Sequence, residues 1–377
     1  CRISRPPPLR TTGGPQGVPT APRAGEAFRA AALAASLPMN GAGLRWALPW
    51  RRGVTRAMGV LPLLFLVTGA HGVLVRCPAL GQTPPDVAAR IVAKASAAIG
   101  AAPQPVARLK SEGLLPTHRL AVQASRARQD FDKVRALAYA WRLTGRGEYL
   151  GSARVILLAW AGTFRTRANP IDEARLPVLA EGYALVRADL AVADRLAVDA
   201  WWRGILAGHL AKLRGRQQAN NWQSHRIHIA TAIAFALEDL GALNELSRHH
   251  RTQVLRNIRS DGSTFDFRQR DAIRYAAYTL QPLVETQLLL AEAVPLPAFQ
   301  MREVLTRLEA GLDWLLPYAD GRRTHVEFAA RKMPTDRKRA EAGITGYSGL
   351  WDPAGARPLF WLATYLDPSY RPVAATL

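Results

Sequence analysis

The stretch VRALAYAWRLTGRGEYLGSARVILLAWAG, residues 134–162, decides the fold class. Val134, Leu137, Ala138 and Trp141 recur at i, i+3, i+4 and i+7, the spacing that lines one face of an α-helix. Thr144-Gly145 then stops the helix, and Val155, Leu158 and Ala159 start the same pattern again until Gly162. Two amphipathic helices joined by a few residues must fold back on each other to bury their apolar faces, so the unit is an antiparallel helical hairpin.

Working outward, the pattern repeats. Leu176, Leu179, Tyr183 and Val186 mark a third helix, and further helices are predicted over 194–214, 222–240, 243–258, 269–293 and 298–316. A looser segment follows at 320–355, with a last helix near 357–366. No run of alternating residues is long enough for a β domain. The expectation is an all-α protein, a single (α/α) barrel or toroid of antiparallel hairpins over residues 82–377 with an open groove at one end.

The first eighty residues read differently. Residues 1–57 are rich in Pro, Gly, Ala and Arg and are expected to be a non-native upstream extension or disordered. Residues 58–81 read as a signal peptide. Arg45, Arg51, Arg52 and Arg56 precede an apolar run from Val60 to Val75, and Ala79-Leu80-Gly81 offers small residues for cleavage before Gln82. That shape predicts a periplasmic or secreted protein with no stable membrane insertion after cleavage. Both cysteines, Cys1 and Cys77, fall in this N-terminal stretch, so residues 82–377 contain neither a disulfide nor a thiolate site.

The formal net charge is +21, and residues 1–81 contribute ten Arg and one Glu, leaving 40 basic and 28 acidic residues, or +12, in residues 82–377. Such a domain attracts polyanions. An export leader and the lack of any DNA-reading motif favour an acidic polysaccharide over nucleic acid.

Two segments carry the candidate chemistry. In RQQANNWQSHRIHIATAIAFALEDL, residues 216–240, Asn220 and Asn221 open an apolar helix, a usual place for a capping Asn. Asn221, His225 and His228, however, fall at i, i+4 and i+7 and share one face. Zinc binding by the two histidines would call for an HExxH pattern or a carboxylate at ligand spacing, and neither is present, so no metal or other cofactor is expected. In SDGSTFDFRQRDAIRYAAYTLQPLVETQLLLAEA, residues 260–293, Arg270, Arg274 and Tyr278 are spaced by four, as are Asp271 and Tyr275. An Arg one turn from a Tyr favours the phenolate.

These segments also carry a resemblance. LAYAWRLTGRGEYLGSARVILLAWAGTF (137–164), NPIDEARLPVLAEGYALV (169–186), NNWQSH (220–225) and RDAIRYAAYTLQPL (270–283) occur in this order. They are followed by HVEFAARKMPTDRKRAEAG (325–343) and GYSGLWDPAGARPLFWLATYLDPSY (346–370). Taken together they resemble the alginate lyase family over roughly residues 119–370. The resemblance implies an (α/α) toroid and metal-independent β-elimination of a uronic-acid polymer, mannuronate-rich alginate first and glucuronan second. It also implies an Asn-His pair on one helix and an Arg and a Tyr on another.

Asn221 matches the Asn and Tyr278 the Tyr of Tyr-x-x-Tyr-x-Leu-x-Pro-Leu, but Trp222 stands where the family has His, and Asp271 where it has Arg. His225, one turn on, and Arg274 or Arg270 are then the substitutes, which makes the chain a divergent member. Elimination needs the uronate carboxylate neutralised, the C5 proton removed and the leaving oxygen protonated. The expected catalytic set is Asn221, His225, Arg274 and Tyr278, with the roles of His225 and Tyr278 as base or acid left open. Asn220, Trp222, His228, Arg270, Tyr275 and Arg337 are expected to bind substrate.

Trp201 and Trp202 could stack on sugars or fill the core. Glu327, Arg331 and Arg339 lie with Arg337 in the late loop. Hydrolysis would need a carboxylate pair instead, with Asp172, Glu173 and Asp271 as the available acids. The rival from another class is a non-catalytic binding protein for an acidic exopolysaccharide.

Overall fold

The structure, a computed structural model, describes residues 83–377 except 216–217, 295–296 and 331–332, together with a two-residue antiparallel pairing of Arg2–Ile3 with Arg23–Ala24. Apart from those four residues, the expected extension 1–57 and leader 58–81 lie outside the described residues. From residue 83 onward the described elements are helices, numbered here α1 (Pro85–Ser96), α2 (Arg119–Thr144), α3 (Gly147–Thr163), α4 (Leu176–Val186), α5 (Val192–Arg214), α6 (Asn221–Leu237) and α7 (Leu240–Asn257). They continue with α8 (Phe265–Arg270), α9 (Ile273–Ala293), α10 (Ala298–Ala319), α11 (Pro334–Glu341), α12 (Arg357–Ala363) and α13 (Arg371–Thr376). None of the described helices is long and apolar enough to cross a membrane.

The hairpin of residues 134–162 is present as α2 and α3, closed by Gly145 in the left-handed conformation at φ 68°, where its N–H bonds the Trp141 carbonyl. Alternate helices form two layers. In the inner layer α2 packs on α4, α4 on α6, α6 on α9 and α9 on α12. Outside it α1 and α3 cover α2, α5 and α7 cover α6, and α10 covers α9, giving the (α/α) toroid. Position in a layer explains the sequence pattern. Every residue of α6 except Trp222 and Phe235 is buried, so this helix has no polar outer face and its apolar residues run all round.

One helical boundary departs from expectation. The predicted helix 269–293 is broken at Asp271, which sits at φ 53° and separates α8 from α9. The break is held from both sides. Asp271 N–H donates to the Phe267 carbonyl at 2.6 Å, while its own carbonyl accepts from Phe328 N–H at 2.7 Å and its Oδ2 from Ala330 N–H at 2.6 Å. Asp271 therefore pins the loop at 325–330 against the start of α9. The turn before α8 is fixed just as tightly: at Gly262 (φ 83°) an added Cβ would stand 2.2 Å from the Ala310 carbonyl oxygen, leaving room for glycine only.

Candidate active site

The buried N-terminus of α6 has unpaired backbone N–H groups to satisfy, and a carboxylate from another helix does it. Asp266 Oδ1 accepts from both the backbone N–H and Nδ2 of Asn221, at 2.8 and 2.7 Å, and its Oδ2 accepts from Asn257 Nδ2 at 2.8 Å. Ser224 Oγ extends the network to Thr279 on α9 at 2.9 Å and to Gln253 on α7 at 3.0 Å. An amide nitrogen carries two N–H bonds. With one fixed on Asp266, the Asn221 side chain is locked in orientation at the groove wall, where its second N–H can serve a ligand. Asp266→Ala would orphan these buried donors, and a loss on the order of 3 kcal/mol or more is expected in a denaturant titration.

Asn221 lines a groove of about 500 Å³ with Trp222, Arg270, Arg274, Tyr275 and Tyr278. The break at Asp271 sets two of these side chains on different elements. Arg270 ends α8 and is tied to Asp336 of α11 at 2.5 Å, with its guanidinium 4.6 Å from the Tyr275 ring centroid. Arg274, in the first turn of α9, reaches the Gly346 carbonyl at 2.6 Å and lies 4.2 Å from the Tyr347 ring centroid. Gly346, at φ 80°, permits this approach, since an added Cβ would stand 2.7 Å from the guanidinium. Arg274 hydrogen-bonds through its guanidinium to the backbone carbonyls of Thr345 and Gly346, whereas Arg270 spends its charge on Asp336. Arg274 is thus the better placed of the two to meet a substrate carboxylate. Below it, the buried Glu327 accepts from the Arg274 backbone N–H at 3.2 Å, and burial pushes its carboxyl up to about 7.

Tyr278 is the point where the groove meets a second hollow. This inner cavity, of about 340 Å³, lies among the inner helices and shares Tyr278 and Gln281 with the groove. The His225 ring lies against Tyr278 with centroids 4.3 Å apart, and Tyr275 meets Tyr278 edge-on from the other side. Enclosure by the groove walls pushes the Tyr278 phenol up to about 12 and Tyr347 adds to this, while Arg128, Arg339 and Arg274 pull it back. Burial, reinforced by His228, lowers His225 to about 3, and neither of its ring nitrogens has a well-formed hydrogen bond. At neutral pH the site therefore presents a protonated phenol beside a neutral imidazole. His228 faces the cavity one turn further, its Nδ1 at 3.2 Å from Glu285 Oε2.

The structure thus gathers Asn221, Trp222, Arg270, Arg274, Tyr275 and Tyr278 in the groove, with His225 and His228 in the adjoining cavity. Asn220 is the N-cap of α6 and does not line either space. Arg337 is exposed on α11 and lies outside the groove lining, where Arg339 of the same helix takes part; Arg331 lies outside the described residues. Trp202 is fully buried, and Trp201 donates to the Phe164 carbonyl in the core. Asp172 caps the backbone of Ser111 and Glu112, and Glu173 bonds His209 at 2.8 Å, so neither carboxylate faces the groove.

Asp266, Arg128, Gln281 and Glu285 were not evident from the sequence. For Gln281 and Glu285 a signal exists: with Arg274 and Tyr278 they continue one polar stripe, at steps of four, three and four, along an otherwise apolar helix. Among the described residues no group of three or more His, Cys, Asp or Glu is arranged to hold a metal ion.

Comparison with known proteins bears on this geometry. A family model described as Alginate lyase matches residues 85–325. No curated protein matches the chain. An alginate lyase structure from Bacteroides ovatus aligns with a TM-score of 0.53 at 13% identity, over 77% of this chain and 88% of that one. One from a Sphingomonas species aligns with a TM-score of 0.42 at 18% identity, over 74% and 90%. A tetrasaccharide complex of an alginate lyase variant aligns with 0.44 at 16% identity, over 72% and 91%. At these identities the likeness to the solved structures is one of fold.

Proposed function

The chain belongs to the alginate lyase family, and from that premise we propose that this polysaccharide lyase cuts a uronate polymer by metal-independent β-elimination, with mannuronate-rich alginate the first substrate and glucuronan the second. The observation that carries the reading is the convergence on one groove of an oriented amide, Asn221, an Arg held by backbone carbonyls, Arg274, and a phenol, Tyr278, whose ring stacks on the neutral His225 imidazole of the adjoining cavity.

The chemistry follows from the acidity of the uronate C5–H bond. As that proton leaves, charge flows into the C6 carboxylate, and the second N–H of Asn221 with the Arg274 guanidinium stabilises it where it develops. The C5 proton is taken up by the stacked Tyr278–His225 pair, in which Tyr278 lines the groove and the imidazole behind it is the accepting member. The electron pair forms the C4–C5 double bond, the C4–O bond breaks, and the Tyr278 hydroxyl protonates the leaving oxygen.

The two pKa shifts support these roles. Held above its usual value, the phenol keeps its proton at neutral pH and so has one to give to the leaving oxygen. The imidazole is already in its accepting form, and it gains basicity as the neighbouring phenolate appears. Transfer of the proton from imidazolium to phenolate then resets the pair. The same proposal puts the enzyme in the periplasm or outside the cell, on the strength of the leader-shaped stretch 58–81.

Cleavage in heavy-oxygen water tests the reaction type. With the new reducing end reduced by borohydride as it forms, before its anomeric oxygen exchanges with water, elimination adds no solvent oxygen to either product end, whereas hydrolysis labels the reducing end, and label in the reduced product would overturn the proposal. The pH profile tests the roles. With His225 near 3 and Tyr278 near 12, both stay in their working forms between about pH 5 and pH 10, so kcat/KM should lack an imidazole step near 6.5. The carboxyls that titrate in the neutral range are Glu285 and Glu327, both raised to about 7 by burial. A step near pH 7 that survives in the double variant Glu285→Gln, Glu327→Gln would contradict the assignment of His225.

A further inference from the structure

The groove and the inner cavity meet at Tyr278, so a polymer reaching across that residue would enter both, and they differ in charge: Arg270, Arg274 and Arg339 outnumber Glu112 and Asp352 in the groove, whereas Arg135 and Arg175 only equal Glu181 and Glu285 in the cavity. Among the groove residues Arg274 and Arg339 act on the Tyr278 phenol, and the Arg274 guanidinium hydrogen-bonds to backbone oxygens and not to a carboxylate. The cavity side is mostly apolar, walled by Pro177, Val178, Ala184, Phe235, Leu289 and Leu362.

Its two cations are matched by carboxylates of the protein. Arg135 is 3.1 Å from Asp132 and 3.7 Å from Glu181, and Arg175 is 2.7 Å from Asp132. Beyond these pairs the cavity adds the Glu285 carboxyl. A uronate carboxylate placed there would meet two arginines already engaged and the Glu285 carboxyl, and would give up its water for an apolar wall. Burying a charge without a partner is costly, and like charges at close range add to the cost.

A sugar hydroxyl faces no such penalty. Gln281 Nε2 donates to Glu285 Oε1 at 3.0 Å, Glu285 Oε2 stands 3.2 Å from His228 Nδ1, and this Gln281–Glu285–His228 row runs along the cavity wall. Such groups give and accept hydrogen bonds without needing an ionic partner. An apolar wall opposite suits the C–H face of a pyranose ring. The volume, about 340 Å³, lies within the range of small-ligand pockets.

We propose that the cavity behind Tyr278 holds a sugar residue without a free carboxylate, so that the enzyme prefers polymers in which the reacting uronate adjoins a neutral sugar. This rests on the lyase reading of the groove and adds to it the class of neighbour the reacting residue carries. The reacting uronate stays in the cationic groove against Asn221 and Arg274, and the neutral residue sits across Tyr278 with its hydroxyls on Gln281, Glu285 and His228.

Partially carboxyl-reduced mannuronan tests this, because reduction converts scattered uronates to neutral mannose residues while leaving backbone and linkage unchanged. The full chain is incubated with the reduced and the unreduced polymer, and the products are sequenced by mass spectrometry. The expected result is roughly tenfold enrichment of neutral residues at one position flanking the cut over their frequency in the polymer. Val178→Lys, which adds an ammonium at a partly buried position of the cavity wall, should abolish that enrichment among whatever products it makes, uronates then taking the flanking position.

Cleavage of both polymers with neutral residues placed at random beside the cut would overturn the inference and leave the lyase reading intact. Absence of unsaturated ends from every polymer, reduced or not, would instead overturn the lyase reading on which it rests. Should Val178→Lys fail to fold, the product sequences from the wild-type chain decide the matter alone.

Discussion

Tyr278→Phe is expected to lower kcat on the preferred polymer by roughly 10²–10⁴-fold, the range of general acid catalysis by a positioned side chain. The ring stays in place in this variant, because its packing is against His225 at 4.3 Å and Tyr275 at 6.3 Å and involves the ring alone. Thermal stability should therefore match the wild type, and polymer binding should be nearly unchanged, since the hydroxyl acts only when the leaving oxygen gains charge. Rates under saturating polymer, with a melting curve for each protein, check both halves. A variant retaining most of its activity would place the acid elsewhere in the groove.

Asn221→Ala is expected to cost 10²–10³-fold in kcat, the usual penalty for removing one oriented donor from a developing oxyanion. Here a second loss accompanies the first. The Asn221 amide also satisfies Asp266, a fully buried carboxyl that keeps the Asn257 bond and the Asn221 backbone N–H but loses the Nδ2 partner. A stability loss on the order of 1–3 kcal/mol should accompany the rate loss. The pairing separates this residue from Tyr278: one variant slows chemistry alone, and the other slows chemistry and weakens the fold. Single-turnover rates and denaturant midpoints for the two variants side by side measure the contrast.

The helices were legible because an apolar period of 3.6 survives in any chain that buries one helical face, and the hairpin at 134–162 states both helices and the stop between them. Asn221 and Tyr278 were legible for a related reason: each sits at a fixed offset inside a segment whose other residues are held in place by packing. The break at Asp271 was hidden because its cause lies in the backbone of Phe328 and Ala330, more than fifty residues further on, which no local pattern reports. Asp266 was hidden likewise, its partner Asn221 lying 45 residues earlier.

The sequence left Arg270 and Arg274 as equal candidates, and geometry separates them, since Asp336 from α11 takes the charge of one and leaves the other facing Tyr347 and the groove. His225 illustrates the remaining gap. Its spacing from Asn221 puts the two on one face, and the fold carries that face from the groove at Asn221 to the inner cavity behind Tyr278 at His225.

The central claim is that Tyr278 sits at the reacting bond of a uronate polymer that the enzyme cuts by elimination. The most direct test is the ultraviolet absorbance of the conjugated unsaturated uronate, followed as the full chain is mixed in turn with polymannuronate, polyguluronate, glucuronan and hyaluronan, beside Tyr278→Phe. A rise on at least one polymer that the variant abolishes is the predicted result. Binding to a polymer with no rise on any of them would contradict the claim and favour a protein that holds an acidic glycan without cutting it.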